Sequence, residues 1–199
     1  MTQPPLAVPG LPVRPALFLD RDGVIVIPEF REGRSFGPRR LEDYRFYPEA
    51  DRALARLKEA GYLLIVVTNQ PDVGHGLISS GTLDEMHRRL RARFPIDSVR
   101  TCCHTQDHGC GCRKPKPGML LDSAREFGIS LSRSFMVGDR ASDVEAGRAA
   151  GCTTVFIDLG YTSEMKPTAA HFVVRSLGDA VEVILGQFAQ KVENNPCRA

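Results

Sequence analysis

The chain has 199 residues, 42% of them hydrophobic and 25% charged, with a formal net charge of +2. Such proportions fit one soluble globular domain with a substantial core and exclude a chain too polar to fold. A charge this close to zero gives no reason to expect nucleic acid, and no apolar run approaches the length of a membrane span.

From the N-terminus, the first 14 residues contain Pro4, Pro5, Pro9 and Pro12 and read as an extended arm. They lack the charged start and apolar run of a signal peptide, so a cytoplasmic protein is expected. Residues 15–188 read as one domain and 189–199 as a flexible tail. The domain opens on a short apolar run, Leu17-Phe18-Leu19, that delivers Asp20 and Asp22 to a turn closed by Gly23. Period-2 alternation puts the two acids on one side. Residues 49–60 have helical spacing, with Ala50, Ala53, Leu54 and Leu57 on one face and Gly61 as the stop. Tyr62 to Val67 is apolar throughout, as in a strand buried on both faces. A helix is predicted over 80–93, where Arg88, Arg89, Arg91 and Arg93 form a solvated face opposite Leu83, Met86 and Leu90. A short strand follows at 96–102, then a helix over 117–128 and a strand Phe135-Met136-Val137 ending at Gly138-Asp139. Residues 142–150 form a small-residue helix, 153–157 a strand, 172–174 an edge strand and 176–188 a last helix. This alternation predicts an α/β fold with a parallel sheet.

Ligands of such sheets sit outside the carboxyl ends of the strands. Three strand ends carry polar chemistry: Asp20/Asp22, Thr68-Asn69-Gln70, and Gly138-Asp139 with Asp143 beyond; Arg113-Lys114-Pro115 precedes a helix. Each has a plainer reading, as an acidic turn, a helix cap or a surface lysine. Convergence of all four on one crevice favours phosphoryl transfer, which needs a nucleophile, a cation, donors to the equatorial oxygens and a proton handler. Asp20 is then the nucleophile and Asp22 the general acid/base. Asp20 and Asp139, with Asp22 through its backbone carbonyl, hold Mg²⁺. Thr68 donates to the phosphoryl oxygens and Lys114 supplies positive charge. Asp143 orients Lys114 or a metal-bound water.

Of the six cysteines, four fall within residues 102–112, in the spacing Cys102-x-His104-x5-Cys110-x-Cys112 with Cys103 adjacent. Three thiolates and an imidazole make a tetrahedral Zn²⁺ set, and adjacent cysteines in a cytoplasmic setting weigh against disulfides. A closed four-ligand site leaves no position for substrate. Its expected role in the loop 101–113 is to fix Arg113 and Lys114, which follow the last ligand directly. His108 reads as a loop residue, Cys152 as buried packing and Cys197 as part of the tail.

Asp20-Arg21-Asp22-Gly23-Val24, Thr68-Asn69-Gln70, Arg113-Lys114-Pro115 and Gly138-Asp139-Arg140 with Asp143 resemble the four motifs of the haloacid dehalogenase superfamily of phosphatases. Within it, the chain is similar to the branch holding D-glycero-D-manno-heptose 1,7-bisphosphate phosphatase and histidinol-phosphatase. The resemblance covers roughly residues 16–160. It implies a Rossmann-like sheet with helices on both faces, a minimal cap, Mg²⁺-dependent phosphate monoester hydrolysis, and a zinc-binding loop with Cys102, His104, Cys110 and Cys112 as ligands. Cys103 stands where the branch usually has proline, so an exchange with Cys102 stays open. The expected substrate is a small sugar phosphate, with removal of the 7-phosphate of the heptose bisphosphate ahead of histidinol phosphate; a zinc-stabilised protein that binds without turnover is the third reading. Asn69, Arg113 and Arg140 are expected to bind substrate. The long Pro28–Tyr44 connection, carrying Arg31, Arg34, Arg39 and Arg40, is expected to add one or two contacts to a second anionic group. A monomer is expected.

Overall fold

The computed structural model describes residues 14–193. In chain order the elements are β1 (Ala16–Leu19), β2 (Glu29–Arg31), β3 (Arg34–Phe36), α1 (Ala50–Glu59), β4 (Leu63–Asn69), α2 (Pro71–Gly74), α3 (Ser80–Arg93), β5 (Ser98–Cys102), α4 (Gly118–Phe127), β6 (Phe135–Gly138), α5 (Ala141–Ala150), β7 (Thr153–Ile157), β8 (Phe172–Val174) and α6 (Leu177–Glu193). Six strands form one parallel sheet in the order β5-β4-β1-β6-β7-β8. The edge position expected for 172–174 is where β8 lies.

Alternation along the strands builds a core on each face of the sheet. Leu17 and Leu19 of β1, with Leu64 and Val66 of β4, pack against α1, α3 and α6 through Leu54, Leu57, Met86, Leu90 and Ile184. Ala16 and Phe18, with Ile65 and Val67, pack against α4 and α5 through Met119, Leu120 and Ala146. Strands covered on both faces have no polar side, which is why β1 and β4 read as continuous apolar runs. β1 lies between β4 and β6, so the carboxyl ends of these three strands place Asp20, Thr68 and Asp139 at one edge of the sheet.

Two expectations need correction. The connection Pro28–Tyr44 is not plain loop: β2 and β3 form an antiparallel hairpin. Its turn residues Glu32 (φ 51°) and Gly33 (φ 76°) both take left-handed backbone, the requirement of a type I′ hairpin turn. Glu is a poor signal for that turn, so the sequence pattern concealed it. The C-terminal helix runs on to Glu193 instead of ending at 188. Residues 189–193, Ala-Gln-Lys-Val-Glu, are mostly good helix formers, and the stop signal Asn194-Asn195-Pro196 comes only afterwards. The proline-rich residues 1–13, and 194–199 with Cys197, lie outside the described residues. Arg14, placed in the arm by its sequence, pairs as an isolated bridge with Ile129.

Candidate active site

β1 ends at Leu19, and the next side chain, Asp20, is buried at the mouth of the sheet. Its Oδ1 accepts the backbone N–H of Arg21 at 2.7 Å and lies 3.0 Å from Lys114 Nζ. Lys114 is itself buried. Its ammonium also donates to the Val67 carbonyl at 2.7 Å and lies 2.6 Å from Asp143 Oδ1. The ammonium thus makes one hydrogen bond, to Val67, and lies within ion-pair distance of two carboxylates. Asp143 serves two elements, since its Oδ2 accepts the Arg140 backbone N–H at 3.1 Å and caps α5.

Asp139 instead turns into the site. Asp20, Asp139 and Asp143, all buried, offer carboxylate oxygens within 4.8 Å of one another. Asp139 Oδ2 accepts the Tyr161 hydroxyl at 2.6 Å, while Oδ1 is buried without a hydrogen-bond partner. Burial, then repulsion from Asp20 and Asp143, holds the Asp139 carboxyl well above the usual carboxylate range. Burial likewise raises Asp20 to about 6, against the opposing pull of Lys114. Gly23, with φ 90°, lets the chain fold back over this cluster; a Cβ there would fall 2.0 Å from Asp139 Oδ2.

Asp22 does not join these carboxylates. It borders the same cavity as Asp20, but beyond the end of β1 its partners are different. Arg21, fully buried, holds it with a fork: Nε to Oδ1 at 3.0 Å and an η-nitrogen to Oδ2 at 2.8 Å. Gln70 Nε2 donates to the same Oδ2 at 2.8 Å and to Thr68 Oγ1 at 2.9 Å. Because Thr68 accepts there, its own O–H is left to donate elsewhere. Behind Arg21 stand the Tyr44 ring, 5.5 Å away, and His87 Nε2 at 3.3 Å. Burial and the Arg21 charge push the His87 imidazole down to about 4, so it is neutral near pH 7.

The segment after the cysteines is fixed at both ends. Asn69 Nδ2 donates to the Lys114 carbonyl at 3.0 Å, and Lys114 N–H donates to Asn69 Oδ1 at 3.1 Å. Both ends of the amide expected to bind substrate are thus occupied in positioning Lys114. Four candidate ligand atoms cluster beside it: Cys102 Sγ lies 3.5 Å from His104 Nδ1, 3.7 Å from Cys110 Sγ and 3.3 Å from Cys112 Sγ. Cys112 Sγ lies 3.4 Å from His104 Nδ1 and 3.5 Å from Cys110 Sγ. Such edges suit a tetrahedron with arms of about 2.0–2.3 Å, the lengths of Zn–N and Zn–S bonds. Cys103 is outside the cluster, and His108 bonds to Thr105 instead. Arg113 is tied to the loop through the His104 carbonyl at 3.3 Å.

A cavity of about 580 Å³ opens above Asp20, Asp22, Thr68, Asn69 and Lys114. Arg34, Arg39, Arg113 and Arg140 line it, whereas Arg31 and Arg40 do not. Arg39 is paired with Asp72 at 2.7 Å. Arg140 donates to the Ser35 carbonyl and hydroxyl at 2.5 and 2.8 Å, fastening the β2–β3 hairpin, and is 3.6 Å from Glu164. Among the described residues Arg34 and Arg113 have no carboxylate partner.

Residues 111–180 match the HAD-hydrolase-like family model. A D-glycero-β-D-manno-heptose-1,7-bisphosphate 7-phosphatase of Pseudomonas aeruginosa is 37% identical over 152 residues, covering 74% of this chain and 83% of that one. The chain belongs to the haloacid dehalogenase-like phosphatases. Another relative in this family, from Burkholderia mallei, is 35% identical over 183 residues, covering 86% and 94%, and is named for the α-anomer of the same sugar. A crystal structure of D,D-heptose 1,7-bisphosphate phosphatase from B. bronchiseptica, complexed with magnesium and phosphate, superposes with a TM-score of 0.71 at 29% identity, covering 87% of this chain and 99% of that one.

Haloacid dehalogenase-like phosphatases use Mg²⁺, and the residues here fit it. Three buried carboxylates face one ammonium, and Asp139 Oδ1 is a buried acceptor lacking a donor. A hard divalent cation with oxygen ligands answers both. Asp20 titrating near 6 instead of 3.8 binds a proton more tightly folded than unfolded. Its contribution to stability is therefore lost as pH rises from about 4 through about 6, and Mg²⁺ must displace that proton. The rise in melting temperature on adding Mg²⁺ should be larger at pH 7.5 than at pH 5.5; equal rises would contradict this. The cysteine cluster fits zinc in the same way, so native mass spectrometry of the purified chain should find one Zn²⁺, lost in Cys110→Ala together with several degrees of melting temperature. Unchanged metal content and melting temperature in that variant would overturn the ligand set.

Proposed function

We propose that the chain is a Mg²⁺-dependent phosphate monoester hydrolase that removes the 7-phosphate of D-glycero-D-manno-heptose 1,7-bisphosphate. The observation that carries the reading is Asp20: one oxygen is fixed by Lys114 and the Arg21 amide, at the floor of a cavity edged by four arginines. The names of the relatives support the sugar.

In this reading Asp20 attacks phosphorus through the oxygen that Lys114 does not hold. The ester P–O bond breaks, an aspartyl-phosphate forms, and the leaving oxygen takes a proton delivered through Asp22. In the second step Asp22, a carboxylate once it has given up that proton, takes one from water as that water attacks phosphorus and releases Asp20 and inorganic phosphate. The hydroxyl of Thr68, freed to donate by Gln70, meets an equatorial phosphoryl oxygen. Lys114 keeps Asp20 and Asp143 in place and offsets part of the charge of the incoming phosphate. Asp20 and Asp139 would hold Mg²⁺, with any part of Asp22 falling to its backbone carbonyl; the ion supplies charge neutralisation at the transferring group.

Arg34 and Arg113, free of carboxylate partners, suit a second anionic group. They disfavour histidinol phosphate, whose far end carries an ammonium. The zinc loop, in this reading, holds Arg113 toward that group. With Mg²⁺, wild-type chain should turn over both anomers of the bisphosphate faster than histidinol phosphate, and Asp20→Asn should abolish turnover. Arg113→Ala should raise KM for the bisphosphate far more than for a heptose monophosphate. Preference for histidinol phosphate would overturn the substrate, and no turnover of any ester would favour a binding protein.

A further inference from the structure

Tyr161 joins the acid cluster to an element remote from it in sequence. It sits on the segment after β7, is buried, and donates its hydroxyl to Asp139 Oδ2 at 2.6 Å. The other face of this contact is crowded, since Gly23 approaches so closely that a Cβ would meet Asp139 Oδ2. Asp139 is therefore held with Oδ2 occupied and Oδ1 buried and unpartnered. The Tyr161 ring stacks on Phe30 of β2, with centroids 5.7 Å apart and planes 24° apart. The next residues extend the same attachment. Ser163 N–H donates to the Gly33 carbonyl at 3.1 Å, Ser163 Oγ to the Glu32 carbonyl at 2.9 Å, and Ser35 N–H to Glu164 Oε1 at 3.2 Å. The hairpin that borders the cavity thus rests on the segment that orients Asp139.

Building on the Mg²⁺-dependent reading above, we propose that Tyr161 is a positioning residue that presents Asp139 Oδ1 to the cation and links cation binding to docking of the β2–β3 hairpin. A carboxylate that accepts a hydrogen bond on one oxygen and is blocked from turning has its other oxygen aimed before the metal arrives. Partners of metal-ligating carboxylates change metal affinity when removed. The same tyrosine carries the hairpin through Phe30, so a cation that pins Asp139 also favours the docked hairpin, and reciprocally the docked hairpin favours the cation.

The test uses the full chain and Mg²⁺ alone, without substrate. Mg²⁺ binding is measured by calorimetric titration, and amide hydrogen–deuterium exchange is followed over residues 29–36 with and without the ion. Tyr161→Phe keeps the stacked ring and removes only the hydroxyl. It should weaken Mg²⁺ about tenfold or more and abolish the protection that Mg²⁺ gives the hairpin in wild type. Phe30→Ala keeps the hydroxyl and should also weaken Mg²⁺, by a smaller factor, from a position that touches no carboxylate of the cluster. Wild-type affinity in Tyr161→Phe, or unchanged Mg²⁺ protection of its hairpin, would overturn the inference while leaving the proposed function intact. Absence of Mg²⁺ binding by wild type would overturn both.

Discussion

The ammonium of Lys114 lies between the carboxylates of Asp20 and Asp143, buried with them at the carboxyl edge of the sheet. Breaking a buried ion pair by removing one partner typically costs about 3–5 kcal/mol, because an uncompensated charge is left behind. Much of the surrounding architecture keeps that ammonium where it is. Asn69 grips the Lys114 backbone from the end of β4, the Val67 carbonyl accepts a hydrogen bond from the ammonium, and Asp143 is locked by capping α5. Yet the lysine does not balance the site, because Asp139 adds a third carboxylate whose Oδ1 is buried without a hydrogen-bond partner. In the proposed function a divalent cation completes the cluster and leaves one oxygen of Asp20 free to attack.

A division of labour follows among the acids. In the proposed function Asp20 and Asp139 hold the cation, while Asp143 serves the lysine and the helix and Asp22 pairs with Arg21 and Gln70. Separating Asp22 from the others gives two carboxylates two residues apart different partners, Lys114 for Asp20 and Arg21 with Gln70 for Asp22. The arginines show a similar partition. Arg140 and Arg39 are engaged in holding elements together, while Arg34 and Arg113 keep their charge available at the cavity.

The sheet, and the placing of Asp20, Thr68, Lys114 and Asp139 at one edge of it, were legible because each depends on local pattern: an apolar run, a strand end, a motif of fixed spacing. The clustering of Cys102, His104, Cys110 and Cys112 was legible for the same reason. Asp22 borders the same cavity as Asp20, as alternation suggests, but lies outside the carboxylate cluster because β1 ends three residues earlier. Arg21, Gln70 and His87 carried no local signal, since their roles appear only when β1, β4 and α3 meet. Gln70 lay inside a motif that was noticed, and its link from Thr68 to Asp22 would have been the one accessible hint. Tyr161 lay in a segment with no period at all, and the hairpin it supports turns on Glu32-Gly33, a pair that sequence rules do not favour for that turn.

Beryllofluoride, a mimic of a phosphoryl group on a carboxylate, tests most directly whether this charge-deficient cluster is completed by a cation and a phosphoryl group on Asp20. Fluorine-19 NMR of the wild-type chain with Mg²⁺ should reveal bound beryllofluoride resonances that vanish when Mg²⁺ is withheld and are absent in Asp20→Asn. Bound resonances of equal intensity without Mg²⁺, or in Asp20→Asn, would contradict it.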